Sequence, residues 1–239
     1  METNNKAGDS THRMADKRYK KMVISAIIGV VVFIVLVIAL NNASALGIGG
    51  GGILVLLFLV NYLPDILDNH LGKREKEVTR ARRGARAEEA VDQLFAGLSE
   101  EYYMINDIDC PYGNIDHVLI SKKSGVFLIE TKSHYGKVSI QNESIYLNGH
   151  PTEKDFVAQT LKNTYWLRDQ IKEILAITVW VRPIIVFTNA FVPFGAPIKG
   201  ITVLNKKFLI STINKVSDAG SGNNTLWDKK DLLFSRLKS

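Results

Sequence analysis

Two uncharged apolar runs, Met22–Leu40 and Ala45–Leu63, constrain this 239-residue chain more than any other feature. At about 1.5 Å of helical rise per residue, each is just long enough to cross the ~30 Å hydrocarbon core of a bilayer. Neither has the polar face that a helix on a soluble core needs. Asn41-Asn42-Ala43-Ser44 separates them and Pro64-Asp65 ends the second. Gly47, Gly49, Gly50, Gly51 and Gly52 lie in the second run, and glycine lets helices approach closely in lipid. The expectation is a two-helix transmembrane hairpin over 22–63.

Basic residues flank both runs: Arg13, Lys17, Arg18, Lys20 and Lys21 before, and Lys73, Arg74, Lys76, Arg80, Arg82, Arg83 and Arg86 after. Positive flanks stay cytoplasmic, so the N-terminus and everything beyond the hairpin are expected there. The short polar turn is then outside. A basic start followed by Ala43-Ser44-Ala45 also fits a cleaved signal peptide. Against that, the first run exceeds the usual ~7–15 apolar residues, and a second run follows at once. No ionisable residue interrupts the runs, which argues against an ion or proton pathway.

The net charge of +6 points to a polyanionic partner, nucleic acid or an anionic membrane face. The single cysteine, Cys110, forms no intramolecular disulfide, so the fold rests on a packed core. The organisation reads as a mobile basic N-terminus (1–21), the hairpin (22–63), a basic connector (64–83), a folded domain (84–213) and a tail with a short helix (214–239).

Within the domain, Val91, Leu94, Phe95 and Leu98 fall on one face of a helix over Glu88–Leu98. Tyr102–Ile108, Ile115–Ile120 and Val126–Ile129 read as strands. A small hairpin over Gly136–Gly149 turns at Asn142-Glu143-Ser144. Glu153–Leu175 carries a broad apolar helical face. Val179–Thr188 is a strand whose Pro183 suggests an edge or a bulge. Phe191–Gly200 reads as a loop, Ile201–Leu204 as a strand, and Lys206–Ile213 and Leu226–Leu237 as short helices around a flexible Gly220–Asn224. Helices on a mixed sheet, an α/β (α+β) fold, follow.

The chemistry concentrates in Gly113–Lys132. Asp116 lies in the otherwise apolar run Ile115–Ile120, and a buried carboxylate is costly unless it is paired or metal-bound. Glu130 and Lys132 are two apart on a strand and share a face. Mg²⁺ needs only one or two protein carboxylates besides water and substrate phosphate, so Asp116 and Glu130 suit metal-assisted phosphodiester hydrolysis. Lys132 is then placed to orient or deprotonate water, or to steady the transition state. A strand leaving a core for solvent also ends in Glu-Thr-Lys without any site. His117 alternates to the other face and reads as a core histidine.

Four ordered segments carry a resemblance. Gly84–Val91 (GARAEEAV), Ile115–Val118 (IDHV), Gly125–Lys132 (GVFLIETK) and Gln159–Asn163 (QTLKN) resemble the opening helix, acidic strand, glutamate–lysine strand and following helix of the nuclease-related domain (NERD) family. That family belongs to the PD-(D/E)XK, restriction-endonuclease-like superfamily. The resemblance covers roughly 84–188. It implies a mixed central sheet flanked by helices, an active-site set of Glu88, Asp116, Glu130 and Lys132, and Gln159 lining it; Gln159 and Asn163, one turn apart on the helix, are the candidate substrate-binding residues. It also implies Mg²⁺ or Mn²⁺ as cofactor and nucleic acid as substrate. Ala87 stands where the family often has glycine, and Ile115 replaces the proline of the superfamily motif. The superfamily contains non-catalytic members, so two readings stand: a membrane-anchored nuclease, or an inactive nucleic-acid-binding or scaffold module. The run Lys73–Arg86 is suited to anionic lipid headgroups. The sequence offers no aromatic-interleaved platform for reading bases.

Overall fold

The computed structural model describes residues 2–3, 6–193, 196–218 and 224–238. The chain divides into two compact units, Thr11–Arg82 and Met1–Ser10 with Arg83–Ser239. Two helices, α1 (Asp9–Asn41) and α2 (Gly50–Phe95), make up the first unit, and the last turns of α2 belong to the second. Both are long and apolar enough to cross a membrane, with mean hydropathy of 3.4 and 1.8 over their most apolar stretches. Those stretches are 6% and 0% buried, unlike the core helices of a soluble protein. Gly29 permits close helix contact, since a Cβ there would lie 2.6 Å from Leu67 Cδ2.

The helices run further than the apolar pattern suggests. α1 starts at Asp9, inside the polar N-terminal stretch. α2 continues through Pro64 and the charged stretch to Phe95 as one helix, where the sequence suggests a break at Pro64-Asp65 and a charged connector that becomes helix. The segment 73–91 is rich in Lys, Arg, Glu and Ala, all strong helix formers, so nothing stops the helix.

The second unit is built on a mixed sheet. Its strands are β1 (Glu2–Thr3), β2 (Tyr102–Cys110), β3 (Gly113–Ser121), β4 (Gly125–Gln141), β5 (Ser144–Leu147), β6 (His150–Pro151), β7 (Val181–Phe191), β8 (Ala196–Ile198) and β9 (Ile201–Asn205). The order is β1-β2-β3-β4-β7-β9-β8, and β5 with β6 extends the far end of β4. β2, β3 and β4 form an antiparallel meander. β4, β7 and β9 are parallel neighbours. β8, within a stretch that reads as a loop, forms a hairpin with the expected strand β9 that turns on Lys199-Gly200, both at positive φ (49° and 80°). Two positive φ values match the twist of a two-residue hairpin.

Alternation along the meander sends Val118, Ile120, Val126 and Leu128 to one core. There they meet Leu167 and Ile171 of α3 (Phe156–Leu175). Two short C-terminal helices, Asn224–Asp228 and Lys230–Leu237, add Leu226 and Leu233 to the same core. Leu119, Phe127 and Ile129 point the other way, onto Val91 and Phe95 of α2 and onto Leu209 and Ile213 of α4 (Leu209–Asp218). Asp155 caps α3, its carboxylate accepting from the Ala158 N–H at 2.9 Å.

β7 is central, whereas Pro183 suggested an edge or a bulge. Pairing to β9 begins only at Ile184, so beside Pro183 one flank of β7 is open and the missing N–H breaks no pairing with β9. The flexible segment expected at 220–224 lies, except for Asn224, outside the described residues.

Candidate active site

β3 and β4 pair from Ser121↔Gly125 to His117↔Ile129 and then part. Asp116 would stand opposite Glu130, on the same face. On its other side the β2–β3 pairing skips Asp107 and Asp116. Asp107 has φ of 60° and turns its carboxylate to the Ser10 N–H at 2.7 Å and to the Asn114 amide. Asp116 is therefore the one residue of β3 without a ladder partner on either side. Its own side chain fills the gap: Oδ2 accepts the Thr131 N–H at 2.6 Å.

Lys132 follows Glu130 by two residues and shares its face. Its Nζ donates to Glu130 Oε1 at 2.7 Å and lies 4.7 Å from the centre of the Phe156 ring, at the start of α3. Beyond Lys132 the β4–β7 register slips by one residue, a bulge before Tyr135 that re-aims the strand. Glu88 is buried one helical turn before Val91 on α2, and its charge acts on both Asp116 and Lys132. The structure thus brings together Glu88, Asp116, Glu130 and Lys132 from three elements.

Burial pushes the Asp116 carboxyl well above the usual range. The charges of Glu130 and Glu88 push it the same way, and Lys132 and the Thr131 N–H counter them only in part. For Lys132, burial disfavours the ammonium, but the charges of Glu130 and Asp116, the Glu130 hydrogen bond and Glu88 outweigh it and raise its pKa. Lys132 stays charged. Glu130 Oε2 is buried without a hydrogen-bond partner among the described residues. Asp116 and Glu130 thus face one ammonium, and a proton on Asp116 or a cation balances the second carboxyl.

No three His, Cys, Asp or Glu side chains among the described residues gather into a ready metal cage. The pair Asp116 and Glu130, with Glu130 Oε2 unbonded among the described residues, fits a hard cation that keeps most of its waters.

Gln159 is half-buried on α3, with Nε2 3.4 Å from where a Cβ at Gly113 (φ 123°) would sit. Asn163 is fully buried. Its Oδ1 accepts from Cys110 Sγ at 3.3 Å, and its Nδ2 donates to the Asn114 carbonyl at 3.4 Å, tying α3 to the β2–β3 turn. His117 faces the opposite layer, Nδ1 on Asn106 Oδ1 at 2.8 Å, and burial lowers its pKa to about 3 against the smaller opposing pull of Asp107. Sequence reasoning missed the Thr131 amide and the Phe156 ring, which depend on strand divergence and on where α3 begins.

The family profile of the nuclease-related domain, NERD, matches residues 83–188. No curated protein and no solved structure matches the chain. The matched segment contains Glu88, Asp116, Glu130, Lys132, Gln159 and Asn163. Over residues 83–188, the chain is similar to the nuclease-related domain family.

Proposed function

We propose that this protein is a membrane-anchored cytoplasmic nuclease that hydrolyses phosphodiester bonds with the help of a divalent cation. The observation that carries the reading is the buried pair Asp116 and Glu130 beside the single ammonium of Lys132, with Glu130 Oε2 left without a hydrogen bond among the described residues. Mg²⁺ or Mn²⁺, held by Asp116 and Glu130, would supply Lewis-acid polarisation of the phosphate and an activated water. Lys132 remains an ammonium, so it serves as a donor that orients an incoming oxygen and steadies charge on the phosphate, not as a base. The Thr131 N–H fixes one oxygen of Asp116. Glu88 adds to the negative field that keeps Lys132 protonated. Gln159 offers its amide to substrate from α3, while Asn163 holds the adjoining turn.

Recognition through phosphate and charge makes the substrate nucleic acid, DNA or RNA, without sequence preference. The two apolar helices serve as the anchor, and the positive flanks keep the domain on the cytoplasmic side. Lys73–Arg86 adds contact with anionic headgroups, about 1 kcal/mol per charge near the surface.

One observation favours a binding module without catalysis: Lys132 is bonded to the very carboxylate that would hold the cation. The deciding assay uses full-length protein in detergent with single- and double-stranded DNA and RNA, in Mg²⁺, Mn²⁺ or chelator. Cation-dependent cleavage lost in Lys132→Ala and Asp116→Asn is the expected result. Binding without cleavage, equal in both variants, identifies the binding module instead.

A further inference from the structure

The open flank of β7 beside Pro183 is the wall of a cleft. Leu161, Thr164, Tyr165 and Arg168 of α3 face Trp180, Val181 and Pro183 across a cavity of about 70 Å³, which Lys199-Gly200 of the β8–β9 turn also lines. The lining contains two cations and no carboxylate. Trp180 is 71% exposed and Tyr165 52% exposed, large aromatic surfaces that the fold does not use for packing. The Arg168 guanidinium lies 5.2 Å from the centre of the Tyr165 ring. Arg168 also bonds Asp169 at 2.9 Å, and Lys199 pairs with Glu143 at 3.0 Å, both at the exposed rim where ion pairs are weak and exchangeable.

Exposed aromatic faces beside guanidinium and ammonium groups match a chain of flat rings linked by anions. Bases stack on the aromatics, and phosphates meet the cations. A duplex hides its base faces, so such a surface discriminates by strandedness. Tyr165 follows Phe156 by nine residues on α3, a rise of roughly 14 Å, so the cleft lies a few nucleotides from Lys132 along a bound strand.

We propose that the cleft between α3, the start of β7 and the β8–β9 turn is a stacking site for single-stranded nucleic acid, with Trp180 and Tyr165 as platforms and Arg168 and Lys199 on the phosphates. The inference rests on the nucleic-acid reading of the neighbouring site and narrows its substrate to single strands. It does not depend on catalysis.

The test is equilibrium binding by full-length protein in detergent with chelator present, so that no cleavage occurs. The probes are fluorescein-labelled oligo(dT) and oligo(rU) of 15 nucleotides, and a labelled 15-base-pair duplex. The single strands bind more tightly than the duplex and quench tryptophan emission. Trp180→Ala and Tyr165→Ala each weaken single-strand binding on the order of 10-fold and leave duplex binding unchanged, while Trp180→Phe retains most of the affinity. Both side chains are exposed, and an unchanged thermal melt shows each variant folded. Equal binding of single strand by wild type and both alanine variants overturns the proposal. So does quenching by an acidic peptide but not by either oligonucleotide, which assigns the cleft to a protein. If the stacking effects appear without cation-dependent cleavage, the cleft stands and the hydrolysis reading falls. Cleavage with unchanged binding in the variants gives the reverse.

Discussion

At pH 7 an ionised Asp116 sits where burial and two neighbouring acids oppose its charge. Its folded pKa is raised, so its contribution to stability is fully present below the unfolded value and is lost as pH rises through the folded one. Asp116→Asn keeps an acceptor for the Thr131 N–H and removes the charge. The variant melts higher than wild type at pH 7, by about 2–4 °C for each kcal/mol relieved, with the gain growing as pH rises above the usual carboxylate range. Mg²⁺ raises the wild-type melting temperature and leaves the variant unmoved; equal responses would remove Asp116 from the cation site. Cleavage falls at least ~100-fold, the scale of losing one preorganised charged group. His117 behaves oppositely. Its folded value of about 3 lies below the usual 6.5, so stability is full above pH 6.5 and declines as pH falls toward 3. The slope from this one proton is at most about 1.4 kcal/mol per pH unit. In an NMR titration its ring signals stay at neutral-imidazole positions down to pH 5; a midpoint above 6 contradicts its burial.

Among the elements, α3 serves both halves of the function: its first turn sets Phe156 beneath Lys132, and its middle lines the aromatic cleft. Asp155→Ala removes its N-cap and costs about 1 kcal/mol. Cleavage drops with little change in cation affinity, because Phe156 loosens and the carboxylates do not. A calorimetric melt and a cation titration check both halves. The meander was legible in sequence because a one-residue slip would have put its whole apolar set in solvent, and Asp116 stood out as an acid in an apolar run. Thr131 and Phe156 were not legible, since their parts depend on where two strands separate and on where a helix begins. The aromatic cleft was hidden for a related reason: Tyr165, Trp180 and Lys199 lie on different elements, with no local pattern joining them. Pro183 misled because a proline's tolerance depends on where the neighbouring strand starts, which its own segment does not encode.

For the whole molecule, apolar length foretold two long helices, but not that the second continues unbroken to Phe95. The anchor has a direct test. In a Cys110→Ser background, a cysteine at Ser44 reacts with a membrane-impermeant maleimide in intact cells, and one at Ser235 reacts only after lysis. Both residues are exposed. Labelling of Ser235→Cys in intact cells inverts the orientation. The antiparallel meander has a different consequence, in the order of assembly. Asp116, Glu130 and Lys132 come together through short turns, whereas β7 reaches β4 only after α3 has been made. Local pairings form fast and distant parallel ones late. During synthesis from the N-terminus, the acidic cluster therefore exists before its aromatic neighbour Phe156. Val118, Ile120, Val126 and Leu128 meanwhile wait uncovered for α3. That interval is when this chain is most open to aggregation, and when a chaperone at the translating ribosome has the most to bind.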